Sequence, residues 1–259
     1  RASRDATTAV QLELTRTRLT AQVQSSESRW LISPADKHQK DIVSVYFSHK
    51  APYAPRQGQC LVEHPLDILN KPSSVTSVNR SAMKKSRSIG AVDRTYRLAV
   101  AVTGEYGAYH GGTTESALAA VATTVNRVNG IYQRELSVQF QLIDDNDRLI
   151  YVDPETDPFT GNDDTDILID ESQLVIDDVV GSEAYDIGHT FSTGPGGLAQ
   201  VGPCVDSDKA RGVTGLGNPV GDAFDVDYVA HELGHQFAMD HTFNSLECAK
   251  NRIAIAAFE

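Results

Sequence analysis

Two histidines and a glutamate stand at helical spacing in the stretch VAHELGHQF, residues 229–237. His231 and His235 are four residues apart, so on a helix both imidazoles lie on one face and can reach one metal ion. Zinc accepts imidazole nitrogen, and a catalytic zinc site keeps three protein ligands and an open position. Glu232 is not spaced to be a third ligand with this pair, but it can take a proton from a water molecule. The pattern therefore indicates metal-assisted hydrolysis.

A third ligand is expected from His241. On a continued helix this residue would lie about 9 Å along the axis from His235 and about 120° around it. The helix is therefore predicted to end between Phe237 and Asp240, with a turn back toward the ion. Such turns favour a left-handed glycine, and the chain has Ala238 there, at a cost of about 1 kcal/mol.

From Tyr96 onward the sequence alternates between strand and helix patterns, which predicts an α/β fold with helices packed on a sheet. Strands are expected at 96–103, 137–143, 185–192 and 196–202, and helices at 113–136, 171–182 and 225–237. The Gly-rich stretch 104–114 lacks the spacing of a phosphate loop and is interpreted as a turn. The lone histidines His110 and His189 are interpreted as packing or surface residues.

The first part of the chain has a different composition. Strand patterns at 10–14, 29–33 and 41–47 predict a small strand-rich region, and residues 71–93, rich in Ser, Lys and Arg, are interpreted as a linker. Residues 1–93 and 94–259 are therefore expected to be two regions with different roles.

Charge and hydropathy exclude some classes of function. The 259-residue chain has a formal net charge of −12, which argues against nucleic acid as a general partner. No apolar run approaches about 18 residues, so no membrane-spanning segment is expected. The Asp- and Asn-rich run 144–166 is either a solvated acidic loop or a calcium site. It does not fit the EF-hand pattern, because Pro158 stands at the required glycine position.

Residues 231–241 resemble the metzincin metalloproteases, whose pattern His-Glu-x-x-His-x-x-Gly-x-x-His differs only at Ala238. GGLAQVGPC (196–204) is similar to a segment of the adamalysin/reprolysin branch, and the stretch from KARGVTG to HELGHQF resembles bacterial secreted members. The resemblance covers about residues 94–259. It implies a metzincin-type α/β domain with a twisted mixed sheet and a zinc helix at the cleft. The implied activity is that of a secreted, zinc-dependent endopeptidase acting on proteins or peptides.

The resemblance also implies roles for particular residues. The zinc ligands would be His231, His235 and His241, and the general base would be Glu232. An extended substrate would add to a sheet edge formed by Gly197, Leu198, Ala199 and Gln200. Metzincins carry a methionine turn after the third histidine, and neither Met83 nor Met239 stands there. The chain is therefore expected to stop before that segment.

Residues 1–93 stand where a propeptide belongs, so the protein is expected to be a zymogen inhibited by its own propeptide. Cys60 would then be an inhibitory zinc ligand. The alternatives are a buried structural cysteine or a disulfide to Cys204 or Cys248, which lie where the family uses disulfides. The competing class of function is a non-catalytic binding module with a structural or vestigial zinc site. Glu232 argues against that class, since a vestigial site has no need of a base.

Overall fold

The part of the chain that the structure describes contains two separate β-sheets. A computed structural model describes residues 8–14, 19–25, 28–36, 39–47, 60–63, 92–239 and 241. The first sheet is antiparallel with the order β1-β2-β3-β4, and its strands are β1 (Ala9–Leu14), β2 (Leu19–Gln24), β3 (Arg29–Asp36) and β4 (Gln39–Phe47). Strands β1, β3 and β4 were predicted, and β2 was not. The predicted linker lies almost wholly outside the described residues.

The second sheet has six strands in the order β5-β9-β10-β8-β6-β7. Its strands are β5 (Cys60–Glu63), β6 (Arg94–Val102), β7 (Val138–Leu142), β8 (Ile187–Ser192), β9 (Gly196–Gln200) and β10 (Gly212–Gly215). Strands β7, β6, β8 and β10 are parallel, whereas β9 is antiparallel to β10 and parallel to β5. The sheet is therefore mixed, and β5 joins a part of the chain far from the other five strands.

Among the described residues, three α-helices cover this sheet besides the helical segment that carries the histidines. They are α1 (Gly104–Tyr109), α2 (Thr114–Leu136) and α3 (Thr165–Val180). The hydroxyl of Thr113 caps α2 by accepting from the Ser116 amide. The helix α3 begins earlier than predicted because the Asp164 carboxylate caps it. The interpretation of residues 104–114 as a turn was wrong for α1, which begins where the Thr103 hydroxyl accepts from the Tyr106 amide.

The core lies on both faces of the six-stranded sheet. Along β6, Leu98, Val100 and Val102 pack with α2 on one face, while Ala99 and Ala101 pack with α3 on the other. All five side chains are buried, as expected of a central parallel strand covered on both sides. The α/β fold class predicted from the sequence is thus confirmed. In the described part of the chain, no helix combines the length and apolar character needed to cross a bilayer.

Candidate metal centre and active site

The predicted histidine helix is one continuous helical segment with two kinds of turn. It consists of α4 (Asp222–Phe224), a π-helical stretch Asp225–Ala230 and α5 (His231–Gln236). The π-helical turns were not predicted. Such turns are rare and often occur at functional sites, and their greater width changes the rotation of the helix that follows. Here that following helix is α5, which carries two of the three histidines.

The three histidines predicted from the motif meet at one point. The Nε2 atom of His231 lies 2.8 Å from that of His235 and 3.3 Å from that of His241, and the last two are 3.2 Å apart. Three ligands at about 2.0–2.1 Å from a tetrahedral ion stand about 3.3 Å from one another. The nitrogens therefore fit a zinc ion. Within the described residues, this is the only group of three or more side chains that could hold a metal.

The turn after α5 brings His241 back to the other two histidines. The helix ends at Gln236 with Phe237 as its cap, close to the predicted end, and Ala238 has a left-handed φ of 62°. The Met239 amide then donates to the Gly234 carbonyl at 3.0 Å. The left-handed turn expected at this position is therefore made by an alanine, with the strain that a Cβ atom brings there.

A hydrogen bond orients the imidazole of His235. Its Nδ1 atom lies 2.7 Å from the carbonyl oxygen of Met239. Because a carbonyl oxygen only accepts, Nδ1 must carry the proton, and Nε2 keeps its lone pair directed at the centre of the three histidines. The residue that completes the turn thus also sets the tautomer that a metal ligand needs.

Glu232 is fully buried beside the strand that was predicted to bind substrate. A Cβ atom built on Gly197 of β9 would overlap the Glu232 carboxyl group, so only glycine allows this approach. On the other side, the Tyr132 hydroxyl donates to the Ala230 carbonyl at 2.7 Å. Burial and, to a lesser extent, the charge of Glu232 raise the pKa of Tyr132, so this phenol stays a donor. Helix α2 and strand β9 therefore hold the start of α5 from two sides.

A buried polar network supports the other end of α5. The His189 ring on β8 lies between the Gln236 carboxamide oxygen at 2.9 Å and the Thr214 hydroxyl at 2.8 Å. The Gln236 amide nitrogen donates to the Gly188 carbonyl at 2.9 Å. Burial lowers the pKa of His189 to about 4, so the ring is neutral near pH 7. The sequence indicated only a packing role for His189, because its partners are distant along the chain.

The predicted substrate edge, Gly197–Gln200, lies within β9. Its outer side is paired with β5 in parallel, with Cys60 opposite Gly197 and Glu63 opposite Gln200. Sequence reasoning singled out Cys60 but did not predict the strand that contains it. Cys204 is exposed and free, while Cys248 lies outside the described residues. The disulfide pairing implied by the resemblance therefore stays a prediction.

The acidic run 144–166 uses carboxylates to hold its own backbone. Asp157 accepts from the amides of Gly104 and Phe159, and Asp164 caps α3. Burial raises the pKa of Asp157 above the usual range despite these hydrogen bonds. The contacts give this loop a structural role, and the calcium alternative stays a prediction.

Comparison with known families agrees with this geometry. A family model described as metallopeptidase family M12B, reprolysin-like, matches residues 92–256, more than half of the chain. Comparison with curated proteins gives no match. The matched span contains strands β6 to β10, the three histidines and Glu232. Metallopeptidases of this family use zinc. The chain therefore belongs to the reprolysin-like metallopeptidases of family M12B.

Proposed function

We propose that the protein is a zinc-dependent endopeptidase in which His231, His235 and His241 hold the metal and Glu232 is the general base. The observation that carries this proposal is the convergence of the three Nε2 atoms within 3.3 Å of one another. A zinc ion bound there supplies Lewis acidity toward water and toward a peptide carbonyl.

Glu232 has the chemistry and the surroundings of the base. Its carboxylate accepts a proton from the attacking water and passes it to the leaving amine. It follows His231 directly in the chain and its carboxyl group lies against Gly197 of strand β9. A peptide aligned along β9 would therefore present its backbone carbonyls near this carboxylate.

The substrate is proposed to be an extended protein or peptide segment that adds to Gly197, Leu198, Ala199 and Gln200. The pairing of β5 supports this, because it shows that the outer side of β9 accepts a strand through main-chain hydrogen bonds. Side-chain pockets beside β9 would then select the cleavage site.

The same pairing supports a latent form, in which residues 1–93 act as an inhibitory propeptide of a secreted enzyme. Strand β5 occupies the edge that substrate would use, so the two compete for the same hydrogen bonds. Its first residue, Cys60, pairs with Gly197, which contacts Glu232. This pairing supports the proposal that Cys60 is the inhibitory zinc ligand, in which the thiolate would take the open position.

A comparison of the wild type with Glu232→Gln in the full-length protein tests the activity. Both proteins should bind equal zinc, measured by metal analysis, because the glutamate is not a ligand. Hydrolysis of a denatured protein after release of residues 1–93 should fall by about 100-fold or more in the variant. Zinc binding without any hydrolysis that depends on Glu232 would instead support the non-catalytic binding module.

The inhibitory role of Cys60 needs a separate test. Cys60→Ala in the uncleaved protein should raise peptidase activity, whereas Cys204→Ala serves as the matched control and should leave latency as it is. Equal latency in all three proteins would refute the thiol switch and leave strand competition by β5 as the source of inhibition.

A further inference from the structure

Four charged side chains meet where the first sheet touches the helical segment of the histidines. Arg29 on β3 donates to Asp222 at 3.0 Å, and Arg127 on α2 lies 2.6 Å from Asp225 and 3.6 Å from Asp222. We propose that Asp222, Asp225 and Arg127 form an arginine socket that anchors the N-terminal sheet, with Arg29 as its occupant. This inference rests on the proposed function, since it concerns how the propeptide is held.

The charged side chains of the socket are buried, so their ion pairs contribute more to binding than exposed pairs do. The side chains of Arg29, Asp222, Arg127 and Asp225 are 13%, 9%, 5% and 4% exposed. At such burial, removing one partner of a hydrogen-bonded ion pair leaves an uncompensated charge and is strongly unfavourable. An exposed ion pair such as Arg97 with Asp186 contributes far less.

The charge count favours a cation in the place of Arg29. With Arg29 present, two arginines balance two aspartates; without it, the buried group carries one net negative charge. Asp225 is already satisfied by Arg127 and by the Thr124 hydroxyl at 2.7 Å. Asp222 is left with Arg127 at the longer distance of 3.6 Å. Burial raises the pKa of Asp222 even against both arginines, as expected for a carboxylate that needs a close cation.

Other contacts of the N-terminal sheet with α2 are neutral or involve a main-chain oxygen. Gln11 and Gln22 lie against Gly130, and Arg134 donates to the Ser25 carbonyl at 3.3 Å. Arg29 with Asp222 is an ion pair that joins this sheet to the rest of the chain. The pair is therefore the charged element of a face that otherwise carries amides, main-chain groups and the buried Leu31.

The position of the socket makes it independent of β5. Asp222 begins the helical segment that ends in α5, whereas β5 pairs with the far edge of the six-stranded sheet. The N-terminal region is thus held at two separate places. A cut within the linker leaves both contacts intact, so release requires that β5 unpairs from β9 and that Arg29 leaves the socket.

Release of the N-terminal region after a single cut measures this anchor directly. A site for a sequence-specific protease is inserted within 71–91 of the full chain, and dissociation after cleavage is followed by size-exclusion chromatography and by fluorescence. In the wild type the two pieces should co-elute. Arg29→Met and Asp222→Asn should each speed dissociation by about 30-fold or more, as expected when one partner of a buried charge pair is lost.

Matched variants separate the anchor from a general loss of structure. Arg97→Met removes an exposed ion pair elsewhere, so this variant should release the N-terminal region at the wild-type rate. The double variant Arg29→Met/Asp222→Asn should release more slowly than either single variant, because no lone charge stays buried. The proposed anchor would be overturned if Arg29→Met released the N-terminal region as slowly as the wild type. It would also be overturned if the double variant released this region faster than either single variant. Because release is measured without hydrolysis, a missing peptidase activity would count against the proposed function and not against the socket.

Discussion

The two sheets of this protein differ in whether their apolar faces are buried. In the six-stranded sheet, Leu98 and Ala99 point to opposite faces, and both are almost completely buried. In the four-stranded sheet, the pairing places Leu12, Trp30 and other apolar residues on one face, and these two are 62% and 39% exposed. The face turned toward α2 is mainly polar and carries the buried Gln22, with Leu31 as its buried apolar residue.

This difference is what the proposed release of the N-terminal region requires of the two sheets. A sheet that is apolar on both faces loses its core when its cover is removed, so it cannot detach. The docking face of the four-stranded sheet carries amides, one ion pair and the buried Leu31, so little apolar surface is uncovered when it detaches and its polar groups regain hydrogen bonds in water. The chemistry of the interface therefore agrees with a propeptide that is held and then released.

The largest expected effect contrasts one leucine from each sheet. Leu98→Ala should lower the free energy of unfolding by about 2–5 kcal/mol, because it leaves a cavity in a closed core. Leu12→Ala removes the same atoms from an exposed face and should change it by less than about 0.5 kcal/mol. Denaturant unfolding of both variants measures the contrast. Equal losses of unfolding free energy in the two variants would contradict the difference between the sheets, since Leu12 would then have to be buried.

Lowering the pH should reduce the stability of the part of the protein that contains the six-stranded sheet, because His189 lies there. The described residues of the four-stranded sheet contain no histidine. The folded pKa of about 4 lies below the unfolded value near 6.5, so below pH 6.5 the unfolded state binds a proton that the folded state excludes. The stabilisation is complete above about pH 6.5 and falls by about 3 kcal/mol as the pH reaches 4.

His189→Gln is the control for this acid effect. Unfolding free energies of both proteins, measured from pH 7 to pH 4, should converge as the pH falls, because only the wild type carries the His189 contribution. Parallel curves would show that the ring is not held in its neutral form.

A smaller effect is expected at the turn that carries His241. Ala238→Gly relieves the left-handed strain but adds freedom to the unfolded chain, so the net gain should be about 0.5–1 kcal/mol. Ala230→Gly is the matched control, because Ala230 has an ordinary φ of −63° and should lose stability on the same change. Thermal unfolding with zinc bound measures both, and a loss in Ala238→Gly would show that the alanine methyl packs favourably.

The smallest expected effect is at the polar interface of the N-terminal sheet. A Cβ atom on Gly130 would lie 2.6 Å from the Gln11 carboxamide oxygen and 2.8 Å from the Gln22 amide nitrogen, so these flexible ends must shift. Gly130→Ala should therefore release the N-terminal region only a few-fold faster, while alanine favours α2 by up to about 1 kcal/mol. Release as slow as in the wild type would show that the two amides adapt fully.

The predictions from the sequence succeeded where a long, regular pattern was present. The apolar spacing of α2 and the alternation in β7 predicted both elements, because burial on one face imposes a period. Three short elements, β2, β5 and β10, were not predicted, and α1 was mistaken for a turn. Segments of four to six residues, two of them rich in glycine, have little local preference, so neighbouring strands and helices decide their structure.

For the site, the sequence by itself determined what depends on near neighbours. The four-residue spacing of His231 and His235 and the break before His241 are local, and the helix period and one left-handed residue account for them. The tertiary structure alone decided which strand lies beside Glu232 and which arginine reaches Asp222, a partner 193 residues away. Such contacts form only because distant elements share one sheet or one buried interface, and no short stretch of sequence encodes that sharing.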